Sequence, residues 1–186
     1  MFSLYTQGMN FSDMVNLKKE NIRDGAIRYK RKKTGQMITV ALEDCMKEII
    51  RNYSVKNSDY LFPVLRPFEN RDELVKWENT RKALAKHNKN LKRLAHMAGI
   101  WEKLTSYSAR HSWASLASHV GIPLATISRG MGHESERTTQ IYISQLDYSD
   151  VRRANKQILS CFAENFIPDA MNKERYAGYN YGYRDF

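Results

Sequence analysis

The sequence predicts a mainly α-helical protein carrying one small antiparallel β-sheet. Three observations carry that expectation. Apolar residues recur at near-helical spacing over most of the 186 residues. Two turn signals, Asp24-Gly25 and Lys33-Thr34-Gly35, divide a stretch in which apolar and charged residues alternate. Apolar residues make up 42% of the chain, enough to bury a core in a domain of ordinary size.

The elements follow in order. Phe2, Leu4, Tyr5, Met9, Met14 and Leu17 lie at near-helical spacing, so residues 2–17 read as a helix. A chain that opens inside an amphipathic helix suggests a fragment lacking an upstream domain. Ile27 and Tyr29 alternate with charges after the Asp24-Gly25 turn, and Met37-Ile38-Thr39-Val40 follows the Lys33-Thr34-Gly35 turn. Both runs read as strands of a small antiparallel sheet with a lysine-rich hairpin tip. Residues 43–53 read as a helix with Met46, Ile49 and Ile50 on one face. Asp59-Tyr60-Leu61-Phe62-Pro63 reads as a loop or short extended piece. A long helix is expected over 71–98, ended by Gly99. Thr105 or Ser106 would cap a helix running to Val120, and Gly121-Ile122-Pro123 breaks it. Pro123 suits the first turn of a short helix ending near Gly130. Glu134 or Ser135 opens another, to about Ser144, and residues 147–162 read as one more. Residues 172–186 are rich in Tyr, Gly and Arg and read as an extended tail.

Composition narrows the function. Lys and Arg number 30 against 20 Asp and Glu, a formal charge of +10. That excess favours a polyanionic partner, nucleic acid first. The bland alternative is that many soluble proteins are simply basic. Lys82, Lys86, Lys89, Lys92 and Arg93 give the long helix a strongly basic character, as a DNA-facing surface or a merely solvated one. Cys45 and Cys161 fit neither a metal spacing nor a disulfide framework, so a reducing cytoplasm is the default. No apolar run spans a membrane and no secretory signal opens the chain.

The densest chemistry lies in Met131-Gly132-His133-Glu134-Ser135-Glu136-Arg137-Thr138-Thr139-Gln140-Ile141-Tyr142, with Tyr107-Ser108-Ala109-Arg110-His111 upstream. Breaking a phosphodiester without a metal needs an in-line nucleophile and donors that stabilise charge on the non-bridging oxygens. It also needs a general acid for the departing 5′ oxygen and a covalent intermediate that keeps the bond energy for rejoining. Tyr142 is the candidate nucleophile. With an ordinary pKa of about 10 it needs help from a neighbouring His or Arg to lose its proton. His133 would donate to a phosphate oxygen. Arg110, opening a buried helix, would grip the phosphate bidentately. Lys33 at the hairpin tip is a cation able to reach into a groove. Each alone has an ordinary alternative: a packed aromatic, a helix-end histidine, a structural ion pair, a solvated turn lysine.

Together, the order Lys hairpin, Arg-His-Ser-Trp, Gly-His and Tyr resembles the catalytic domain of the tyrosine recombinases, the phage integrase family. The likeness covers almost the whole chain. Met131-Gly132-His133 with Thr138-Thr139 and Tyr142 is similar to the family's Leu-Gly-His block and following tyrosine. Ala109-Arg110-His111-Ser112-Trp113-Ala114 resembles its second arginine box, and Arg31-Lys32-Lys33-Thr34-Gly35 its hairpin lysine. Gly8-Met9-Asn10-Phe11-Ser12-Asp13-Met14 resembles the box around its first arginine, in a style similar to integrases of Bacteroidetes mobile elements.

The resemblance implies the tyrosine recombinase catalytic fold over residues 1–166, with a C-terminal tail at 167–186. It implies site-specific DNA recombination, by integration or excision. Tyr142 forms a 3′-phosphotyrosyl bond, Arg110 and His133 stabilise the pentacoordinate phosphate, and Lys33 protonates the 5′ oxygen. No cofactor and no metal are implied. The implied partners are double-stranded DNA, through Lys32, Lys82, Lys86, Lys89 and Arg93, and further copies of the chain. The assembly is a tetramer in the synapse and a monomer when free. An element over 151–166, anchored by Ile158, Leu159, Phe162 and Phe166, would dock on a neighbouring protomer or pack in cis. Two posts depart from the pattern. The first arginine falls on Asn10, with Gln7 the nearest other polar residue, and a histidine falls on Tyr107. Arg129 and Arg137 are candidates to replace the missing cation. The departures keep open a DNA-binding module without chemistry; a topoisomerase of type IB is the third reading.

Overall fold

The computed structural model describes residues 1–54 and 56–146, together with 155, 156, 159 and 160. The chain divides into two compact units, Met1–Leu146 and Asp147–Phe186. In the second, Asn155, Lys156, Leu159 and Ser160 are helical and exposed. The rest of the helix expected over 147–162, the anchors Ile158, Phe162 and Phe166, and the tail lie outside the described residues.

The first unit is helical around a three-stranded antiparallel sheet in the order β1-β2-β3, formed by Ile22–Arg23, Ala26–Lys30 and Met37–Ala41. Arg23 pairs with Ala26 across a two-residue turn. Asp24 and Gly25 both take positive φ, 50° and 69°, as a type I′ turn requires. The second hairpin closes on the pair Lys30 and Met37, so residues 31–36 form its tip. The sheet's buried face presents Ile27, Tyr29, Ile38 and Val40 to Phe2, Met9, Leu17, Met46, Leu61 and Phe62. The alternation read from the sequence is the alternation of burial along β3.

The helix expected over 2–17 is two short helices, α1 (Phe2–Tyr5) and α2 (Phe11–Val15). The break lies at Gln7 and Gly8, with φ of 58° and 74°. Periodicity misled because Phe2 and Met9, on the two sides of the break, enter the same core. The break has a purpose. A Cβ on Gly8 would sit 2.8 Å from the Cα of Arg110, so only glycine admits that approach.

Helix α3 spans Asp44–Tyr53. The long helix is α4, Glu73–Met97, capped by Asp72, whose carboxylate accepts from Val75 N at 2.8 Å. Ala83 and Leu84 turn inward against Phe11, Val15, Tyr60 and Leu65. Lys82, Lys86, Lys89 and Arg93 are exposed, and their spacing of 4, 3 and 4 residues sets them in one stripe along the helix. Helices α5 (Ser108–His119), α6 (Leu124–Met131) and α7 (Glu136–Leu146) share a third core of Ala114, Ala117, Ile127 and Met131, joined by Trp113, Tyr142 and Ile143. Three boundaries differ from the sequence expectation. Tyr107, not Thr105 or Ser106, holds the N-cap position of α5. Pro123 is the N-cap residue of α6 rather than part of its first turn. Helix α7 starts at Glu136 and runs on to Leu146, past Ser144.

Candidate active site

The Gly132-His133 pair is a helix terminus before it is anything else. Gly132 takes φ 61°, and the next backbone N–H, on His133, returns to Ser128 O at 3.0 Å while Gly132 N reaches Arg129 O at 3.0 Å. This paired bonding closes α6 and needs a residue tolerant of the left-handed region. A Cβ on Gly132 would also meet Ile38 Cδ1 at 2.6 Å and Arg31 Cδ at 3.2 Å. The turn therefore throws the His133 side chain beside Arg110 while the hairpin tip packs over its backbone.

Arg110 is 4% exposed and organises what surrounds it. Its Nη1 donates to Gly8 O at 3.0 Å, its Nη2 to Met131 O at 2.6 Å, and Nη2 lies 3.1 Å from His133 Nε2. A guanidinium only donates, so His133 Nε2 accepts and its proton sits on Nδ1. That proton goes to Thr139 Oγ1 at 2.8 Å, which explains the fully buried second threonine of the Thr-Thr pair. Burial, followed by the charges of Arg110, Arg31 and Lys33, pushes the His133 pKa down to about 4. His133 is thus a neutral imidazole here.

Tyr142, from α7, sets its phenol oxygen 2.8 Å from His111 Nδ1, with the two rings stacked 5.3 Å apart and 10° from parallel. The His133 ring meets Tyr142 edge-on at 5.7 Å. Burial raises the Tyr142 pKa to about 12, against the opposing pull of Arg110. Tyr142, His133, Arg110, Lys33 and Arg31 all line one cleft of about 450 Å³, with Tyr107 at its side. Among the described residues its lining carries Arg31, Lys33 and Arg110 against the single carboxylate of Glu134. Such a site favours an anion. Among the described residues no group of three or more His, Cys, Asp or Glu side chains is placed to hold a metal ion.

The Phage integrase family matches residues 1–148. The chain belongs to that family. It is 31% identical over 147 residues to the tyrosine recombinase XerA of Pyrococcus furiosus, covering 75% of this chain and 46% of that protein. It is 28% identical over 159 residues to XerA of Thermococcus kodakarensis, covering 83% of this chain and 52% of the relative. The chain thus spans about half the length of these curated relatives. The crystal structure of XerA recombinase superposes with a TM-score of 0.59 at 23% identity, over 83% of this chain and 55% of that one. A lambda integrase dimer bound to a COC′ core site gives 0.54 at 18% identity, over 76% and 49%. These likenesses establish the tyrosine recombinase catalytic fold: helices around a small antiparallel sheet.

Tyr142, Arg110, His133 and Lys33 line one cleft. Lys32 is exposed and donates its Nζ to Asn16 Oδ1 at 2.9 Å. Asn10 occupies the N-cap position of α2 and does not line the cleft. Arg129 lines an adjoining groove with Gln7, Gln36 and His133 and is not among the residues lining the cleft, and Arg137 is exposed and outside the cleft. Neither of these two arginines fills the missing post.

The cation that sequence reasoning missed is Arg31. It is 4% exposed, its Nη1 donates to Gly132 O, and its Nε is buried with no hydrogen-bond partner among the described residues. In the sequence it is one of four successive basic residues, Lys30 to Lys33, and reads as part of a solvated run. The alternation of burial that continues past β2 was the signal available: Ile27, Tyr29 and Arg31 all point inward. Nearby, Asp13 is also 4% exposed and accepts from Lys32 N at 3.0 Å. Burial raises its pKa, against the lowering effects of that bond and of Arg31, Lys32 and Arg110.

Proposed function

We propose that this chain is the catalytic domain of a site-specific recombinase that cleaves and rejoins double-stranded DNA through a 3′-phosphotyrosyl intermediate. The observation that carries the reading is the meeting of Tyr142, Arg110, His133 and Lys33 in one basic cleft of a chain from the phage integrase family. A scissile phosphate entering that cleft would exchange its water shell for fixed cations, which stabilise the charge gathering on the non-bridging oxygens. Arg110 and Arg31 clamp those oxygens, Arg31 in place of the cation that Asn10 does not provide. The phosphate's charge raises the His133 pKa, so its imidazole gains a proton and donates to phosphate once Arg110 turns from Nε2 to the anion. Tyr142 attacks in line, and Lys33, carried on an exposed hairpin tip, protonates the departing 5′ oxygen. A second strand's 5′ hydroxyl reverses the step.

The relatives named as tyrosine recombinases support this activity, and the solved complex of lambda integrase with a core site supports DNA as the partner. Residues 1–166 form the catalytic part in this reading, 167–186 the tail, and four copies act in the synapse. A suicide duplex, nicked beside the crossover so that the cleaved end diffuses away, tests the proposal on the natural gene product. The cognate sequence is first recovered from a randomised nicked pool by sequencing what becomes covalently attached. Wild type should trap DNA, and Tyr142→Phe should bind DNA without trapping it. Salt-dependent binding with no adduct from wild type would instead favour a DNA-binding module without chemistry, the reading motivated by Asn10 and Tyr107.

A further inference from the structure

We propose that His111 is the proton acceptor for Tyr142, and so a catalytic residue. The inference rests on Tyr142 as nucleophile and adds the fate of its proton. A phenol whose pKa is pushed to about 12 carries its proton at neutral pH and needs a base as the O–P bond forms. The phenol oxygen lies 2.8 Å from His111 Nδ1, within the range for direct transfer.

Of the other side chains of the cleft, the exposed Glu134 carboxylate is not among the described partners of the phenol, whose hydrogen bond goes to His111, and the rest cannot serve. His133 spends its Nε2 lone pair on Arg110 Nη2 and its Nδ1 proton on Thr139. Arg31, Arg110 and Lys33 are cations with no lone pair to offer. Tyr107 is 41% exposed and is itself a phenol, its ring 5.7 Å from that of His111. His111 is a free acceptor: burial and the neighbouring Arg110 lower its pKa, which keeps the imidazole neutral. In the tautomer that carries its proton on Nε2, Nδ1 accepts from the phenol, and this is the form the proposal requires. The titratable groups around it are Tyr107 and Arg110 on its own helix and Tyr142 from α7. Consecutive placement on α5 lets one turn serve two tasks. Arg110 addresses the phosphate site and His111 the tyrosine.

The step balances. The Tyr142 Oη–P bond forms and the P–O5′ bond breaks. The phenol proton passes to His111 Nδ1, and Lys33 gives a proton to the 5′ oxygen. In rejoining, the attacking 5′ hydroxyl returns a proton to Lys33, the P–Oη bond breaks, and His111 returns its proton to the tyrosine. No redox partner is needed and no net proton is consumed.

The experiment compares cleavage of the trapped suicide duplex by proteins carrying tyrosine or 3,5-difluorotyrosine at position 142. The fluorinated phenol ionises nearer neutral pH and has less need of a base. With tyrosine, His111→Ala and His111→Asn should slow single-turnover cleavage by about 10²–10⁴-fold. Asn keeps an acceptor near the Nδ1 position but is not basic. With difluorotyrosine both defects should shrink at least tenfold. A defect of equal size on both phenols makes His111 a positioning residue and overturns the proposal, as does wild-type cleavage by both variants. The pH profile gives an independent reading that leaves position 111 unchanged. Cleavage should fall as pH drops through a value below the ordinary imidazole pKa, and with difluorotyrosine the acid limb should move up to the phenol's own ionisation. A profile unchanged by fluorination overturns the proposal. If wild type forms no adduct at all, the recombinase reading itself fails, a result distinct from both.

Discussion

Replacing Arg31 by Ala should separate chemistry from folding. Removing the side chain leaves Gly132 O without its buried donor, a loss of about 1–3 kcal/mol. The loss falls at the low end because Thr34 Oγ1 remains 3.4 Å from the same carbonyl. Two terms act the other way. The orphaned Nε of Arg31 costs about 1–3 kcal/mol as a buried unsatisfied donor, and the Arg31 charge disfavours the charged form of Arg110. Adding the packing lost with the alkyl stem, the net destabilisation comes to roughly 1–2 kcal/mol. The transition state is affected differently. One lost phosphate clamp costs about 2–4 kcal/mol, or about 30–1,000-fold in rate. Single-turnover cleavage of the suicide duplex measures this, on an ordinary scissile phosphate and on a methylphosphonate that lacks one anionic oxygen. The Arg31→Ala defect should be large on phosphate and much smaller on methylphosphonate, while the melting temperature falls by about 2–8 °C. Equal defects on both substrates, or cleavage at the wild-type rate, would refute the assignment of Arg31 as a clamp.

Other perturbations follow from the same geometry. Gly8→Ala puts a Cβ 2.8 Å from Arg110 Cα at a φ of 74° and should destabilise by roughly 2–4 kcal/mol, read by denaturant unfolding. His133 has its pKa lowered to about 4, so the unfolded chain binds the extra proton between that value and the ordinary 6.5. Stability is full above about pH 6.5 and falls by roughly 1–3 kcal/mol as pH drops towards 4. His87 and His111, also lowered by burial, act in the same direction, and His133→Gln should flatten the slope. Replacing Lys82, Lys86, Lys89 and Arg93 together by Ala should weaken DNA binding and reduce the slope of log K against log salt. The reduction reaches about 3–4 if all four contact phosphates; an unchanged slope would show the stripe to be merely solvated.

What the sequence reveals, and what it hides, divides on a physical line. Tyr142, Arg110 and His133 were legible because their chemistry is carried by residue type in compact blocks, and the hairpin around Lys33 because Lys33-Thr34-Gly35 marks a turn between two alternating runs. The broken first helix was not legible. Gln7 and Gly8 interrupt it to bring a carbonyl to Arg110, 102 positions later, and no local pattern reports so distant a partner. Arg31 was hidden for the opposite reason: its neighbours Lys30, Lys32 and Lys33 are solvated, as a basic run normally is. Only the inward phase of β2, extended by one residue pair, distinguishes it. Asn10 looked like a damaged site when read along the chain. In three dimensions an arginine from a neighbouring element, Arg31, lines the same cleft, so a vacancy in a motif is not a vacancy in the cleft.

The same arrangement argues for coupling between Lys33, the proposed general acid, and Arg31 and Arg110, the proposed phosphate clamp. Arg31 Nη1 and Thr34 Oγ1 both donate to Gly132 O, and Gln36 Nε2 donates to His133 O at 3.2 Å. The hairpin that carries Lys33 is therefore latched to the turn that orients His133, and His133 is bonded in turn to Arg110. Displacing the hairpin withdraws Lys33, Arg31 and the backbone support of His133 in one movement. A phosphate bound by Arg31 and Arg110 opposes that displacement, because the anion bridges the hairpin to α5. Substrate should therefore order the tip of residues 31–36. Hydrogen exchange at the Gly35 amide, bonded to Arg31 O at 2.8 Å, should slow when the trapped duplex binds. It should remain fast in Arg31→Ala, where the bridge is missing; equal protection in both proteins would show that the latch closes without the phosphate.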